Sequence, residues 1–362
     1  MGLGGANNKR WEIIQSLEEL TNLTATAHGN VVEKFLQIKQ RFDPATLIGT
    51  GKTQELAEIC RHLSIDLVIF DIELSAAQIR NIEKIVGVRV IDRTTLILDI
   101  FAKHARTREA KVQVELAQLE YRLPRLVGMG TEFSRLGGGI GTRGPGEKKL
   151  EVDRRRIQQR ISTLKKTLKK IEHSKKVQRK GRQGIPKIAV VGYTNAGKSS
   201  LVNALTKAKL TTSGYLFSTL DSHTKILFVP PRHKMLISDT VGFLKNLPHS
   251  LIASFHATLA EVLEADVLIH IIDATIEDLE DKIATVERVL KEIHAEQKSH
   301  ILVFNKIDRL LEEEKSRLKR KFPRAFFVSA IEREGLLEIK EHLRHYFFPV
   351  SEIHEEYSKH SA

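Results

Sequence analysis

The sequence predicts an α/β protein in three parts. Residues 1–103 read as an N-terminal α/β domain and 104–180 as an antiparallel hairpin of two long helices, a coiled coil. After a linker at 181–186, residues 187–349 read as a P-loop nucleotide-binding domain on a mostly parallel sheet, followed by a tail at 350–362. Three observations carry this. Short apolar runs alternate with helical spacing at both ends of the chain. Two heptad-like seams flank a glycine-rich break in the middle. A Gly-x-x-x-x-Gly-Lys-Ser segment follows an apolar run directly.

In the first part, LVIF (Leu67 to Phe70) and VRVID (Val88 to Asp92) read as buried strands, and TQELAEICRHL and AAQIRNIEKIV as helices. GTGKT, Gly49 to Thr53, has the letters of a phosphate loop, but Thr46 stands where the first glycine belongs. It is read as a turn into a helix.

In the second part, Val112, Leu116, Leu119 and Leu123 form one seam, and Ile157, Ile161, Leu164, Leu168 and Ile171 the other. Spacings of three and four predict two helices packed on each other. Between them, GGGIGTRGPGE (Gly137 to Glu147) is too rich in glycine for a helix or central strand. On spacing alone it reads equally as a hairpin tip or as a loop that brings backbone close to a ligand or RNA.

Between Arg143 and Arg182 stand 16 Lys or Arg against four acids, an excess of 12 that carries nearly all of the chain's net +13. So concentrated a stripe is the footprint of a polyanionic partner. The candidate RNA-binding residues are Gly138, Gly139, Arg143, Lys148, Lys149, Arg154, Arg155, Arg156 and Arg160, with Lys165, Lys166, Lys169 and Lys170 further along the same helix.

In the third part, KIAVV, KILFVP, KMLISD, DVLIHIID, HILVFN and AFFVSA are the strand candidates. Near-continuous apolar strands alternating with helices predict a parallel sheet covered on both faces. The phosphate loop runs from Gly192 through Tyr193, Thr194, Asn195, Ala196, Gly197, Lys198 and Ser199 to Ser200. Glycines let inward N–H groups cradle phosphates at a helix N-terminus, Lys198 adds charge, and the Ser199 hydroxyl suits Mg²⁺. DTVGF supplies Asp239 for Mg²⁺, then Thr240, Val241 and Gly242, whose amide suits a γ-phosphate. Phe217, Ser218, Thr219 and Leu220 form a further segment, with Thr219 completing the Mg²⁺ shell. In NKID, Asn305, Lys306 and Asp308 point to guanine, because a carboxylate accepts from both N1–H and the exocyclic amine. Ser329 and Ala330 in VSA offer an amide to guanine O6. Lys198, Thr219 and Gly242 are the candidate catalytic groups, Ser199, Thr219 and Asp239 the metal ligands. GTP and GDP are the expected ligands and Mg²⁺ the expected cofactor.

In this order the motifs resemble the translation-factor-like GTPases, and the whole chain from about residue 30 to 349 resembles the HflX family of ribosome-associated GTPases. The carrying segments are VIFDIELSAAQIRNIEKI, VIDRTTLILDIFAKHARTREAKVQVELAQLEYRLPRL, GGGIGTRGPGEKKLEVDRRRI, GYTNAGKSSLVNAL, LFSTLDSHTK and SDTVGFLKNLPHSLIASFHATLAEV. The resemblance implies a P-loop GTPase that binds the large ribosomal subunit and its RNA and splits or rescues ribosomes under stress, with the hairpin tip near the peptidyl-transferase region. The alternative is a role in large-subunit assembly without splitting. LFSTLDSHTK departs from the family's LFATLDPTTR, and some members carry a further C-terminal domain, whereas this sequence stops soon after Pro349.

Many GTPases carry a water-orienting Gln after Asp-x-x-Gly. Here the position is Phe243, which predicts slow turnover unless a partner supplies or orders the missing group. A single cysteine, Cys60, excludes a disulfide framework and suits a reducing compartment. No secretory or complete lipidation signal is legible, so a cytoplasmic monomer without a stable membrane anchor is expected. The basic stripe leaves partial association with an anionic membrane open.

Overall fold

The computed structural model describes residues 1–4, 10–126, 145–180, 184–206, 208, 216–217, 222–231, 233–245 and 256–349. They divide into two compact units, one running to His173 and the other beginning at Ser174.

The first unit contains β1 (Gly2–Gly4), α1 (Arg10–Thr26), β2 (Leu36–Ile38), α2 (Thr50–His62), β3 (Leu67–Phe70), α3 (Ala76–Val86), β4 (Arg89–Asp92), α4 (Arg93–His104) and α5 (Arg108–Leu126). β1 pairs with β2 and β3 with β4, both in parallel. The Asp71 amide donates to Met1 O at 3.0 Å, which ties β1 to the end of β3. α3 starts at a capping box in which Ser75 and Gln78 exchange side-chain bonds, and stops at Gly87, whose φ of 75° is left-handed. Phe70, Leu74, Ile82, Val86 and Val90 close the core between these elements.

Asp92 caps α4 by accepting from the Thr95 amide and also accepts from the Leu74 amide and the Tyr121 hydroxyl. The last of these bonds anchors α5. Arg125 stacks on the Tyr121 ring and donates to Leu74 O at 3.1 Å. α5 is therefore covered on two sides. Ala110, Gln113, Val114, Ala117 and Tyr121 form a buried stripe distinct from the Leu116–Leu119–Leu123 seam, a stripe whose small residues and one polar group hide it from a simple apolar period.

The next helix, α6 (Pro145–Lys180), is 36 residues long and runs through the point where the units divide. Its Ile157, Ile161, Leu164, Leu168 and Ile171 are covered, while Arg154, Arg155, Arg156 and Arg160 are exposed. Arg160 makes a forked pair with Glu115 at 2.7 and 2.9 Å, and Lys165 pairs with Glu120 at 2.7 Å, so α5 and α6 share ion pairs as well as a seam.

The second unit contains β5 (Lys187–Gly192), α7 (Lys198–Thr206), β6 (His223–Val229), β7 (His233–Asp239), α8 (His256–Glu264), β8 (Val267–Asp273), α9 (Leu279–Glu292), β9 (Ser299–Asn305), α10 (Glu312–Lys321), β10 (Phe326–Phe327) and α11 (Leu336–Phe347). The sheet order is β10-β9-β8-β5-β7-β6, parallel throughout except for the edge strand β6. Ile188, Val190, Ile269, Ile271 and Val303 are buried, as double coverage requires. Because the strands are parallel, Gly192, Asp239, Asp273 and Asn305 end their strands on one edge. The register sets Val190 beside Asp239 and Asp273 beside Asn305. The edge where strand order diverges around β5 is where such folds take ligands.

Candidate nucleotide site

The loop from β5 into α7 needs its glycines for contact reasons. A Cβ on Gly192 would lie 2.3 Å from Ile271 O, and one on Gly197 would lie 2.2 Å from Asn305 Nδ2. Gly197 also has a φ of 96°, which side chains rarely adopt. Asn195 is left-handed at 61° and exposed, while Ala196 is buried.

Lys198 is buried and donates to Tyr193 O at 2.9 Å and Gly192 O at 3.4 Å. Burial pulls its pKa down to about 8, against the opposing pull of Asp239. Ser199 Oγ donates to Asp239 Oδ2 at 2.6 Å, so the hydroxyl and carboxylate assigned to a metal meet directly. Gly242 lies against the same lysine: a Cβ there would be 2.9 Å from Lys198 Nζ and 2.8 Å from Thr194 Cα. Phe243 N donates to Gly192 O and Phe243 O accepts from Thr194 N, which pins the DTVGF segment to the phosphate loop. Thr240 spends its hydroxyl on Val190 O at 2.6 Å, and Val241 is buried.

On the guanine side, the Asn305 amide is a brace. Nδ2 donates to Ala196 O at 2.9 Å and Oδ1 accepts from Ala330 N at 3.0 Å. The Ala330 amide assigned to guanine O6 is thus engaged by Asn305 here, and an O6 contact would have to share or exchange that bond. Ser329 is buried, and its hydroxyl accepts from the Glu332 amide. Lys306 is left-handed and pairs with Asp273 at 2.6 Å. Asp308 is exposed beside it, on a short 3-10 turn.

Three family models match this chain: a GTP-binding GTPase N-terminal region over residues 14–102, a GTP-binding GTPase middle region over 104–182, and a 50S ribosome-binding GTPase over 187–306. A GTPase HflX from Caldanaerobacter subterraneus subsp. tengcongensis is 47% identical over 341 residues, 94% of this chain and 78% of that protein. The Escherichia coli GTPase HflX is 42% identical over 309 residues, 85% of this chain and 72% of that one. The chain belongs to the HflX family of GTPases. A solved GTP-binding protein from Sulfolobus solfataricus, in complex with GDP, is 25% identical with a TM-score of 0.48, covering 96% of this chain and 97% of that one.

As an HflX-family GTPase the chain hydrolyses GTP. Of its sequence-assigned residues, Ser218, Thr219 and Leu220 lie outside the described residues, as do Gly138, Gly139 and Arg143. Lys148 and Lys149 lie near the start of α6. Phe217 is buried with a left-handed φ of 56°, and Ser200 is half-buried in α7. The side chain of Tyr193 is engaged by residues outside the phosphate loop. Its hydroxyl accepts from the Lys245 amide at 2.9 Å, and Lys282 of α9 sits 4.0 Å over its ring.

Two groups escaped sequence reading. Asp273 holds Lys306 and caps the turn after β8 by accepting from Thr275; the only local signal is an Asp at a strand end, shared by many turns. His270, inside β8, is pushed down to about 3 by burial and is neutral at pH 7. Among the described residues no helix is long and apolar enough to cross a membrane, and no group of three or more His, Cys, Asp or Glu could hold a metal.

Proposed function

We propose that this GTPase binds the large ribosomal subunit in its GTP form and uses that binding to split or rescue ribosomes. The observation that carries the reading is the exposed cationic run of α6 joined in one chain to a GTP site. Arg154, Arg155 and Arg156 are exposed on a helix whose inner seam is occupied, which leaves their charge turned to solvent, with Arg156 also 3.9 Å from Asp153 on its own helix. Arg160 is a weaker candidate because Glu115 offsets it. The 104–180 segment acts as the RNA-reaching arm, the 187–349 domain as the nucleotide switch and 1–103 as the arm's base.

At the nucleotide, Lys198 leaves the carbonyls of Tyr193 and Gly192 for phosphate oxygens, and the amide of Gly242 meets the γ-phosphate. Asp308 reads guanine while Asn305 holds both loops around it. Ser199 and Asp239, joined by Thr219, are hard oxygen donors suited to Mg²⁺, which keeps several waters and needs few protein ligands. The ion would neutralise charge on the phosphates. Phe243 cannot orient water, so turnover in isolation is slow and ribosomes raise it.

The test is GTP turnover alone, with purified large subunits and with intact ribosomes, while light scattering follows the intact ribosomes. Large-subunit stimulation with scattering that falls in GTP or a non-hydrolysable analogue supports splitting. Stimulation without a scattering change favours assembly. Equal turnover with and without ribosomes refutes the partner. Affinity for the subunit should fall steeply with salt, and replacing Arg154, Arg155 and Arg156 by Ala should lower the log–log slope by about 2–3.

A further inference from the structure

Thr194 occupies the third position of the phosphate loop and is 7% exposed, yet its Oγ1 has no hydrogen-bond partner among the described residues. Burying a hydroxyl without a partner costs stability, and a valine would fill the same space without that cost. An unsatisfied buried group in a binding loop calls for an explanation in function.

Its surroundings narrow the explanation. A Cβ built on Gly242 would sit 2.8 Å from the Thr194 methyl, Cγ2, and 2.9 Å from Lys198 Nζ, so the Thr194 side chain, which carries the hydroxyl on the same Cβ as that methyl, lies beside Lys198 and Gly242. That is the end of the loop where the Gly242 amide and Lys198 are assigned to the γ-phosphate. Several of the nearest polar groups among the described residues are committed. The backbone of Phe243 is bonded to Gly192 and Thr194. The Tyr193, Thr240 and Ser199 hydroxyls are engaged by Lys245, Val190 and Asp239. The side chain of Phe243 has no polar atom.

We infer that the Thr194 hydroxyl orients the attacking water in place of the missing Gln side chain. It accepts a hydrogen bond from the water and donates its own proton to a γ-phosphate oxygen. The water oxygen then bonds to the γ-phosphorus as the bond to the β-phosphate oxygen breaks. The electron pair leaves with GDP, and the water protons end on inorganic phosphate and solvent. The hydroxyl is unchanged at the end, and a threonine is a modest orienting group, in keeping with the slow basal rate proposed above. The inference rests on the proposed nucleotide site.

The experiment is single-turnover GTP hydrolysis by the full chain, with and without ribosomes, for Thr194→Val and Thr194→Ser, beside fluorescent GDP and GTP-analogue titrations. Thr194→Val should slow hydrolysis on the order of tenfold to a hundredfold, with GDP affinity within about twofold because GDP lacks the phosphate that the hydroxyl is proposed to touch. Thr194→Ser, which restores the hydroxyl, should recover most of the rate. Unchanged hydrolysis in Thr194→Val overturns the inference, as does an equal loss in both variants or a loss of GDP affinity in Thr194→Val. Lys198→Ala separates the two levels. If it still binds GTP, the nucleotide-site reading fails; if it loses GTP while Thr194→Val hydrolyses normally, only the role of Thr194 falls.

Discussion

Two segments of this chain carry the Gly-Lys-Ser/Thr letters of a phosphate loop, GTGKT at Gly49 to Thr53 and GYTNAGKSS at Gly192 to Ser200, and they fold into different things. In the second, Lys198 is buried, its ammonium is held by loop carbonyls, and Asn305 from a strand 109 residues away clamps the loop. In the first, Lys52 pairs with Glu55 at 2.7 Å and lies 4.2 Å over the Phe35 ring, while Thr53 turns its hydroxyl onto Gly49 O. The lysine is spent on a surface ion pair and the hydroxyl on the helix start. A phosphate loop is made by what surrounds it: a strand before it, a brace across it, and a cation held by loop carbonyls rather than by a surface ion pair.

The sharpest way to break this contrast is to exchange the fates of the two lysines. Lys198→Ala should cost about 3 kcal/mol of GTP binding, on the order of a hundredfold, in a fluorescent-nucleotide titration. Lys52→Ala should leave affinity within about twofold; a large loss there would make the first loop a second nucleotide site. Next comes the clamp. Asn305→Ala strands Ala196 O and Ala330 N inside the protein and should destabilise the second unit by about 2 kcal/mol, read as a lower urea midpoint without nucleotide.

The first unit has its own buried brace, and its loss should be felt only there. Tyr121→Phe removes a donor from Asp92 and should weaken the α4–α5 joint by about 1.5 kcal/mol, seen as faster hydrogen exchange in those helices with GTP affinity unchanged.

The smallest effect concerns pH. The folded pKa of Lys198, about 8, lies below its ordinary 10.5, so the empty site sheds its proton first. Stability of the nucleotide-free unit should therefore rise as pH climbs from 8 toward 10.5, while phosphate binding, which needs the ammonium, weakens over the same range. GTP affinity should drop roughly fivefold between pH 8 and 9, with proton uptake on binding; a flat profile would mean that the lysine stays charged in the empty site.

Much of the second unit was legible in the chain. Its strands are apolar runs ended by Gly192, Asp239 and Asn305, and parallel pairing needs only those runs and the helices between them to bring the ends together. The HflX motifs are local in the same sense, each a few residues at a strand end. The outer cations of α6 and its seam follow from a period of three and four.

What the sequence determined by itself, then, is the kind of protein this is: an HflX-family GTPase with a basic helical arm, because periodicity and short motifs are properties of neighbouring residues. What only the tertiary structure decided is how individual polar groups are spent. Asn305 became a brace, Arg160 the partner of Glu115, Asp273 the holder of Lys306, and Asp92 the anchor of α5, while Thr194 kept a hydroxyl with no partner among the described residues. Hydrogen bonds and ion pairs form between atoms that meet in space, and a buried group's partner is set by which strands and helices pack around it, a fact no local window of sequence contains.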